Sequence, residues 1–297
     1  FQQVAEGHQR VEDLLRRVQS RPGLVPQRRR LAKRGRPGRF QLRAHVAALF
    51  TLAGDVAAVA AQRAEAVVGF ETRLAKASTP RVELRDPAKL YVPSSLAEAD
   101  ALTPNFSWTA FFDAIGVARP EMFSLAMPDF FRKVNAMLAE VPVEDWRSYL
   151  RYREIDGAAP YLSKAFAEED FRFYSQALRG QAEQAPRWKR VLDATNEAVG
   201  EALGQLYVDA VFPAESKTRM VEMVANLGQA IRARIEKLEW MSDETKQRAL
   251  EKWASFTPKI GYPDRWRDWS GLALTRGDFA GNVLAARAFN ARYLFDQ

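Results

Sequence analysis

The chain has no cysteine in its 297 residues, which excludes a disulfide framework, a thiolate metal site and a cysteine nucleophile together. Histidine is almost as scarce. His8 and His45 are the whole supply, and neither begins the H-E-x-x-H pattern that puts two imidazoles one helical turn apart on a zinc ion, with a glutamate between them to polarise the bound water. Both read as isolated side chains, structural or exposed. No serine sits in a G-x-S-x-G elbow and no glycine-rich phosphate cradle occurs, so the catalytic, metal-binding and cofactor-binding residue sets are empty. Long apolar runs are missing too. The best, Val46 to Ala61, is interrupted by Gly54-Asp55 and falls short of a membrane span. No stretch sustains the two-residue alternation of strands, and no fixed-period repeat points to a solenoid.

Acidic residues are absent from one segment in particular. Between Arg16 and Arg43 there are eleven cationic residues and no carboxylate, so the net charge of +7 less those eleven leaves the rest of the chain at −4. The basic character is therefore local. Within it, Arg21 to Arg39 has three prolines, three glycines and no apolar periodicity, which predicts loop or disorder. An arginine arm could neutralise nucleic-acid phosphates, but this one has no interleaved aromatic to stack on bases and no binding module around it. Nucleic acid is not expected as a partner.

What is present is helical. Residues 1–20 allow a short amphipathic helix, and Phe40 to about Ala77 reads as two alanine-rich helices divided at Gly54-Asp55. In the second, Val56, Val59, Ala60, Val67, Phe70 and Leu74 form a stripe expected to be buried. Arg85 to Pro93 reads as an extended linker pinned by prolines. Ser95 opens a short helix, and Phe106, Trp108, Phe111 and Phe112 form an aromatic cluster that reads as core. Further helices are predicted from Pro128 through Leu138, where Met137 has core spacing, from Val143 to Ile155, and over Pro160 to Gly180. In the last of these Glu168, Glu169 and Asp170 are adjacent, which scatters them around the helix and predicts a solvated face. Two long striped helices follow, one from Trp188 to Tyr207 and one from Met220 to Leu238, separated by Phe212-Pro213. A final helix starts near Phe279. The fold class is mainly α, an irregular multi-helix lobe with little or no sheet.

The stretch Ser242 to Trp269 organises the carboxy-terminal half. Ser242 caps a helix whose first turn carries Asp243 and Glu244 at the positive end of its dipole, and Thr257-Pro258 stops it. A turn built on Gly261 and Pro263 follows, crowded by Ile260, Tyr262, Trp266 and Trp269. Such aromatic surface beside one turn needs something to pack against.

Lys259-Ile260-Gly261-Tyr262-Pro263-Asp264, with Glu244-Thr245 before it and Trp266 after it, resembles the segment that closes the amino-terminal region of neprilysin and endothelin-converting-enzyme zinc metalloendopeptidases. Glu71 to Ala75, Arg85 to Tyr91, Phe106-x-Trp108, Trp146 with Tyr149-Leu150-Arg151, Arg187 to Arg190, Gly200 to Tyr207 and Phe212-Pro213 extend the resemblance in the same order. It covers roughly His45 to Phe295. The resemblance implies a helical cap lobe that, with a thermolysin-like catalytic lobe, encloses a cavity admitting oligopeptides and excluding folded proteins. It implies zinc in the full-length enzyme and none bound here, since the family's zinc helix, third ligand and Asn-Ala substrate motif all follow the stretch at Ile260 to Asp264. Asn135-Ala136 has the wrong neighbours and is not carried over.

On this reading the chain, which opens at Phe1 and stops at Gln297 inside a helical pattern, is a piece cut before its active site and inactive alone. Its expected partners are an oligopeptide substrate and the missing carboxy-terminal catalytic domain. Substrate-contacting residues are unknown, and the compartment stays open, with a periplasmic or extracellular bacterial form favoured by the resemblance. The expected layout is a basic segment over 1–41, a helical hairpin with its connector over 42–93, and the cap domain over 94–297. The likeness breaks down where Gly23-Leu24-Val25-Pro26 runs into Arg28-Arg29-Arg30, and residues before about Leu42 read as a disordered or out-of-frame stretch, an idea that resequencing the coding DNA decides. A helical module that binds peptides without cutting them is the alternative function, followed by a nucleic-acid-binding protein that uses the basic segment.

Overall fold

The computed structural model describes residues 35–87 and 90–295. The expectations for residues 1–20, for the arginine-rich stretch up to residue 34 and for His8 lie outside the described residues. Eleven α-helices and one two-stranded sheet make up the described residues, so the mainly α class holds. They divide into two compact units, the described residues up to 185 together with those from 274 to 295, and residues 186–273.

In the first unit α1 (Gly35–Leu52) and α2 (Ala57–Ala77) form a hairpin. Its turn depends on Gly54, whose φ of +98° is costly for a residue with a Cβ. Helix α1 begins at Gly35, five residues before the expected start at Phe40, inside the stretch read as loop. Pro37 falls in its first turn, where no N–H is needed for the helical ladder.

The predicted stripe of α2 is only partly right. Ala60, Ala64, Val67 and Phe70 are buried, whereas Val56 is 68% exposed and Val59 37%. The inward face follows Ala60, Ala64, Val67 and Val68, because α2 is buried between α1 on one side and α5 (Pro128–Glu140) and α6 (Val143–Ala158) on the other. Phe70 stacks on Tyr149 of α6 with ring centres 4.1 Å apart and takes the edge of Trp146 at 4.5 Å. Rings of this size dominate a core's energetics.

The segment expected to be extended is coiled. Glu83–Arg85 form a 3-10 turn, and the amides of Leu90 and Tyr91 return to the Pro87 carbonyl. Two prolines fix φ without preventing these local bonds. Strand β1 (Pro93–Ser95) then pairs antiparallel with β2 (Met122–Ser124), Pro93 opposite Ser124. Ser95 caps α3 (Leu96–Leu102) through a capping box with Glu98. Helix α4 (Trp108–Ile115) is capped by Ser107 and ended by Gly116 at φ +70°. A second core gathers here from Trp108, Phe111, Phe112, Ala99 and Leu125, as the aromatic run predicted.

Pro160 to Gly180 is not one regular helix. A 3-10 turn at Ala159–Tyr161 precedes α7 (Lys164–Asp170), which widens into a π-helix over Phe171–Ala177. Helix α11 (Phe279–Phe295) returns to this unit, where Arg287 donates to the Tyr161 hydroxyl at 2.8 Å.

The second unit contains α8 (Arg187–Val211), α9 (Ala214–Glu236) and α10 (Asp243–Ala254). Phe212-Pro213 separates the first two as expected. Helix α8 is kinked at Val199, where φ −137° and ψ 35° leave the helical region. Ser242 accepts from the Thr245 amide at the head of α10, as the sequence predicts.

Candidate functional site

Three features of the described residues hold the chemistry and the surfaces a function could use. The first is buried. His45, on α1, is fully enclosed, with Nδ1 2.7 Å from Glu169 Oε1 on α7 and Nε2 3.2 Å from Asp156 Oδ1 on α6. The Tyr174 hydroxyl donates to both Asp156 oxygens at 2.9 and 3.0 Å, and Arg172 donates to both Glu169 oxygens at 2.7 and 2.6 Å. The Phe173 ring stacks on the imidazole with centres 4.2 Å apart.

Burial alone would push the His45 imidazole down, and the hydrogen bonds and charges of Asp156 and Glu169 outweigh it, so it titrates above its ordinary 6.5. Burial would push Glu169 up, but the bonds from His45 and Arg172 hold it below its ordinary 4.5. The two carboxylates sit on opposite ring nitrogens and do not converge on one point, so the trio does not offer a zinc ion a shared position. Both nitrogens of His45 are engaged, and no other cluster of histidine and carboxylate side chains among the described residues fits a zinc site.

Glu169 also corrects the expectation of a solvated acidic face over Glu168 to Asp170. It is buried and paired: Arg172, one turn on, donates to both its oxygens, and His45 Nδ1 lies 2.7 Å away. His45, Asp156 and Glu169 are 111 and 124 residues apart in pairs, and no local motif announces them.

The second feature is the turn after α10. Lys217 Nζ donates to the Tyr262 carbonyl at 2.9 Å and to Asp264 at 2.6 Å, and lies 4.3 Å from the Tyr262 ring centre. The bond from Lys217 holds the Asp264 carboxyl below the usual carboxylate range. Gly261, at φ +71°, brings its backbone so close to Phe212 that a Cβ would stand 3.3 Å from Cε1. Tyr262 stacks on Trp266, and Arg267 donates its amide to Glu201 of α8 at 2.7 Å. The aromatic crowd predicted around this turn thus packs on α8, α9 and itself.

The third is a bare apolar surface. In the whole of residues 186–273 only Ala194 is buried. Part of the stripes that made α8 and α9 recognisable as helices lies in water: Trp188 is 63% exposed, Leu206 68%, Leu227 55% and Ile231 54%, while Val191, Val199, Leu203, Val224 and Ile235 are half-buried. A shallow apolar depression on α8 is lined by Arg187, Trp188, Val191, Leu192 and Thr195. Among the described residues no helix is long and apolar enough to cross a membrane.

Residues 19–263 match a family model described as "Peptidase family M13". Neprilysin-2 of Drosophila melanogaster is 31% identical over 220 residues, 69% of this chain and 28% of its own length. Endothelin-converting enzyme 1 of Rattus norvegicus is 26% identical over 242 residues, 78% of this chain and 32% of that protein. Among solved structures, the zinc metalloprotease Zmp1 of Mycobacterium tuberculosis in its open state superposes with a TM-score of 0.79 at 35% identity, covering 89% of this chain and 42% of that one. The chain therefore spans less than half the length of each of these relatives.

Proposed function

The chain belongs to peptidase family M13, and from that premise we propose that it is the amino-terminal, non-catalytic part of a neprilysin-like zinc metalloendopeptidase that hydrolyses oligopeptides. Residues 94–297 form the cap over the peptide-sized cavity, residues 42–93 supply its hairpin and connector, and residues 1–41 carry the basic segment, whose last residues open helix α1. The zinc belongs to polypeptide beyond these residues, where it would supply the water-activating Lewis acid. This chain supplies walls. A cleft closed on one side by rigid helices admits an extended peptide and rejects a folded protein by size alone.

One observation carries the reading: Trp188, Leu192 and Leu206 of α8 and Leu227 and Ile231 of α9 are exposed, with Ala194 the single buried residue of the unit. Helices in proteins draw most of their stability from packing an amphipathic face. Leaving a Leu or Ile side chain exposed forgoes about 1.5–3 kcal/mol each. Helices so striped and so bare are half of an interface, and a companion polypeptide is what completes it. The peptide-binding alternative has no comparable observation behind it.

The test compares residues 1–297 with the protein extended by its downstream coding sequence, using a short fluorogenic peptide with and without a zinc chelator. The extended protein should cut the peptide in a chelator-sensitive manner and leave a folded protein intact, and residues 1–297 alone should neither cut it nor bind stoichiometric zinc. Zinc-dependent cleavage by residues 1–297, or a downstream sequence without a zinc-binding histidine pair, overturns the proposal.

A further inference from the structure

We propose that His45 is a proton-operated latch: as an imidazolium donating from both ring nitrogens it fastens α1 to α6, α7 and the π-helix, and loss of its proton as pH rises releases α1 locally. This does not depend on the peptidase reading, since the groups involved lie within the first unit and have no part in a catalytic step.

The geometry sets the protonation state. A neutral imidazole has one N–H and one lone pair, whereas the imidazolium has two donors. Here each nitrogen faces a carboxylate oxygen, Glu169 Oε1 at 2.7 Å and Asp156 Oδ1 at 3.2 Å. Whichever nitrogen a neutral ring left bare would point its lone pair at a buried carboxylate. Only the charged ring satisfies both contacts.

The surrounding charges are arranged for that state. From α6, Asp156 faces the ring, with Arg153 3.7 Å from its other oxygen and Tyr152 edge-on to the imidazole. From α7 comes Glu169. From the π-helix come Arg172, bonded to Glu169, and Tyr174, bonded to Asp156. On α1 itself the nearest cation, Arg43, is turned away to Glu65 of α2. Each carboxylate holds a partner besides His45 that keeps it in place, Arg172 on Glu169 and Tyr174 on Asp156, so the lone-pair conflict that follows loss of the ring's proton has to be relieved by movement of α1.

The sign of the dependence follows from linkage. A histidine titrating above its ordinary 6.5 in the folded state gives stability that is complete below 6.5 and is lost as pH rises through the folded value. Between those limits one proton is taken up on closing, so the opening equilibrium of α1 rises about tenfold per pH unit. Helices that do not touch the latch keep a flat response.

Hydrogen–deuterium exchange of the intact protein, read as protection factors so that intrinsic base catalysis is removed, tests this between about pH 6 and 9. Peptides covering residues 40–52 and 164–177 should lose protection by about tenfold per pH unit over part of that range, while those covering residues 96–115 stay level. His45→Asn should abolish the slope, and Glu169→Gln should bring the upper end of the sloping range to lower pH, because one of the two carboxylates that hold the proton in the closed state is gone. Level protection of residues 40–52 in the wild type, or an equal slope in His45→Asn, overturns the proposal. If His45→Asn does not fold, the wild-type slope and the shift in Glu169→Gln decide alone.

Discussion

The ammonium of Lys217 lies 4.3 Å from the centre of the Tyr262 ring while donating to the Tyr262 carbonyl at 2.9 Å, so one side chain of α9 holds both faces of the turn after α10. The contact joins elements 45 residues apart, and the same ammonium reaches Asp264. Lys217→Met keeps the length of the side chain and removes its charge. We expect it to cost about 1–2 kcal/mol through the lost cation–ring contact and the carbonyl left without its donor. Limited proteolysis of the turn at residues 259–266 should speed up accordingly, and a cleavage pattern identical to the wild type's counts against the clip.

Asp55 closes the α1–α2 hairpin in a similar way. It sits just after Gly54 and accepts from Arg63 of α2 and from Arg151 of α6, the latter at 2.9 Å, so a turn residue ties three helices. Burial would raise its carboxyl, but the two guanidinium groups hold it below its ordinary range. Asp55→Asn leaves two arginines without their shared anion, and a loss of about 2 kcal/mol is expected in denaturant unfolding. Arg63→Met added to Asp55→Asn should then cost less than Arg63→Met in the wild type, and full additivity of the two changes would show that the pair is not coupled.

Glu169 sets the acid side of stability. Its folded titration lies below the ordinary 4.5, so its contribution is present above that value and is lost as pH falls through the folded one. Glu169→Gln removes the linkage. Its melting temperature should therefore be lower than the wild type's at neutral pH and should fall less steeply between about pH 3 and 5, the residual slope coming from Asp55 and other carboxylates. Parallel melting curves across that range rule the assignment out.

Local signals in the sequence marked the elements well, and signals that depend on distant partners were silent. Ser95 and Ser242 cap helices as side-chain chemistry predicts, and Phe212-Pro213 breaks the chain between α8 and α9. The stripe of α2 misled because Val56 and Val59 satisfy a helical period that α1, α5 and α6 do not cover. Periodicity gives a face but not what lies opposite it. The buried triad of His45, Asp156 and Glu169 was illegible for a related reason: adjacent acids on a helix diverge, and which of Glu168, Glu169 and Asp170 turns inward depends on His45 of α1, 124 residues from Glu169. The kink at Val199 has no proline or glycine at the residue itself, although Gly200 follows it. Motif resemblance reached the family because it rests on residues held by such distant contacts, as Gly261 shows against Phe212.

The bare faces of the second unit give the last prediction. Leu227 and Ile231 lie four residues apart on α9, both more than half exposed, so an aspartate at either position meets water in residues 1–297. Surface substitutions of that kind stay within about 0.5 kcal/mol. In the extended protein the same positions are proposed to face a companion polypeptide, where a buried unpaired carboxylate is strongly disfavoured. Leu227→Asp combined with Ile231→Asp should therefore leave the unfolding of residues 1–297 nearly unchanged while lowering the melting temperature and the peptidase activity of the extended protein. The asymmetry is the informative quantity, because a merely poor helix former would weaken both to the same degree. Equal effects in the two proteins, or none in either, would mean that α9 meets solvent in the whole enzyme and that the missing partner docks elsewhere.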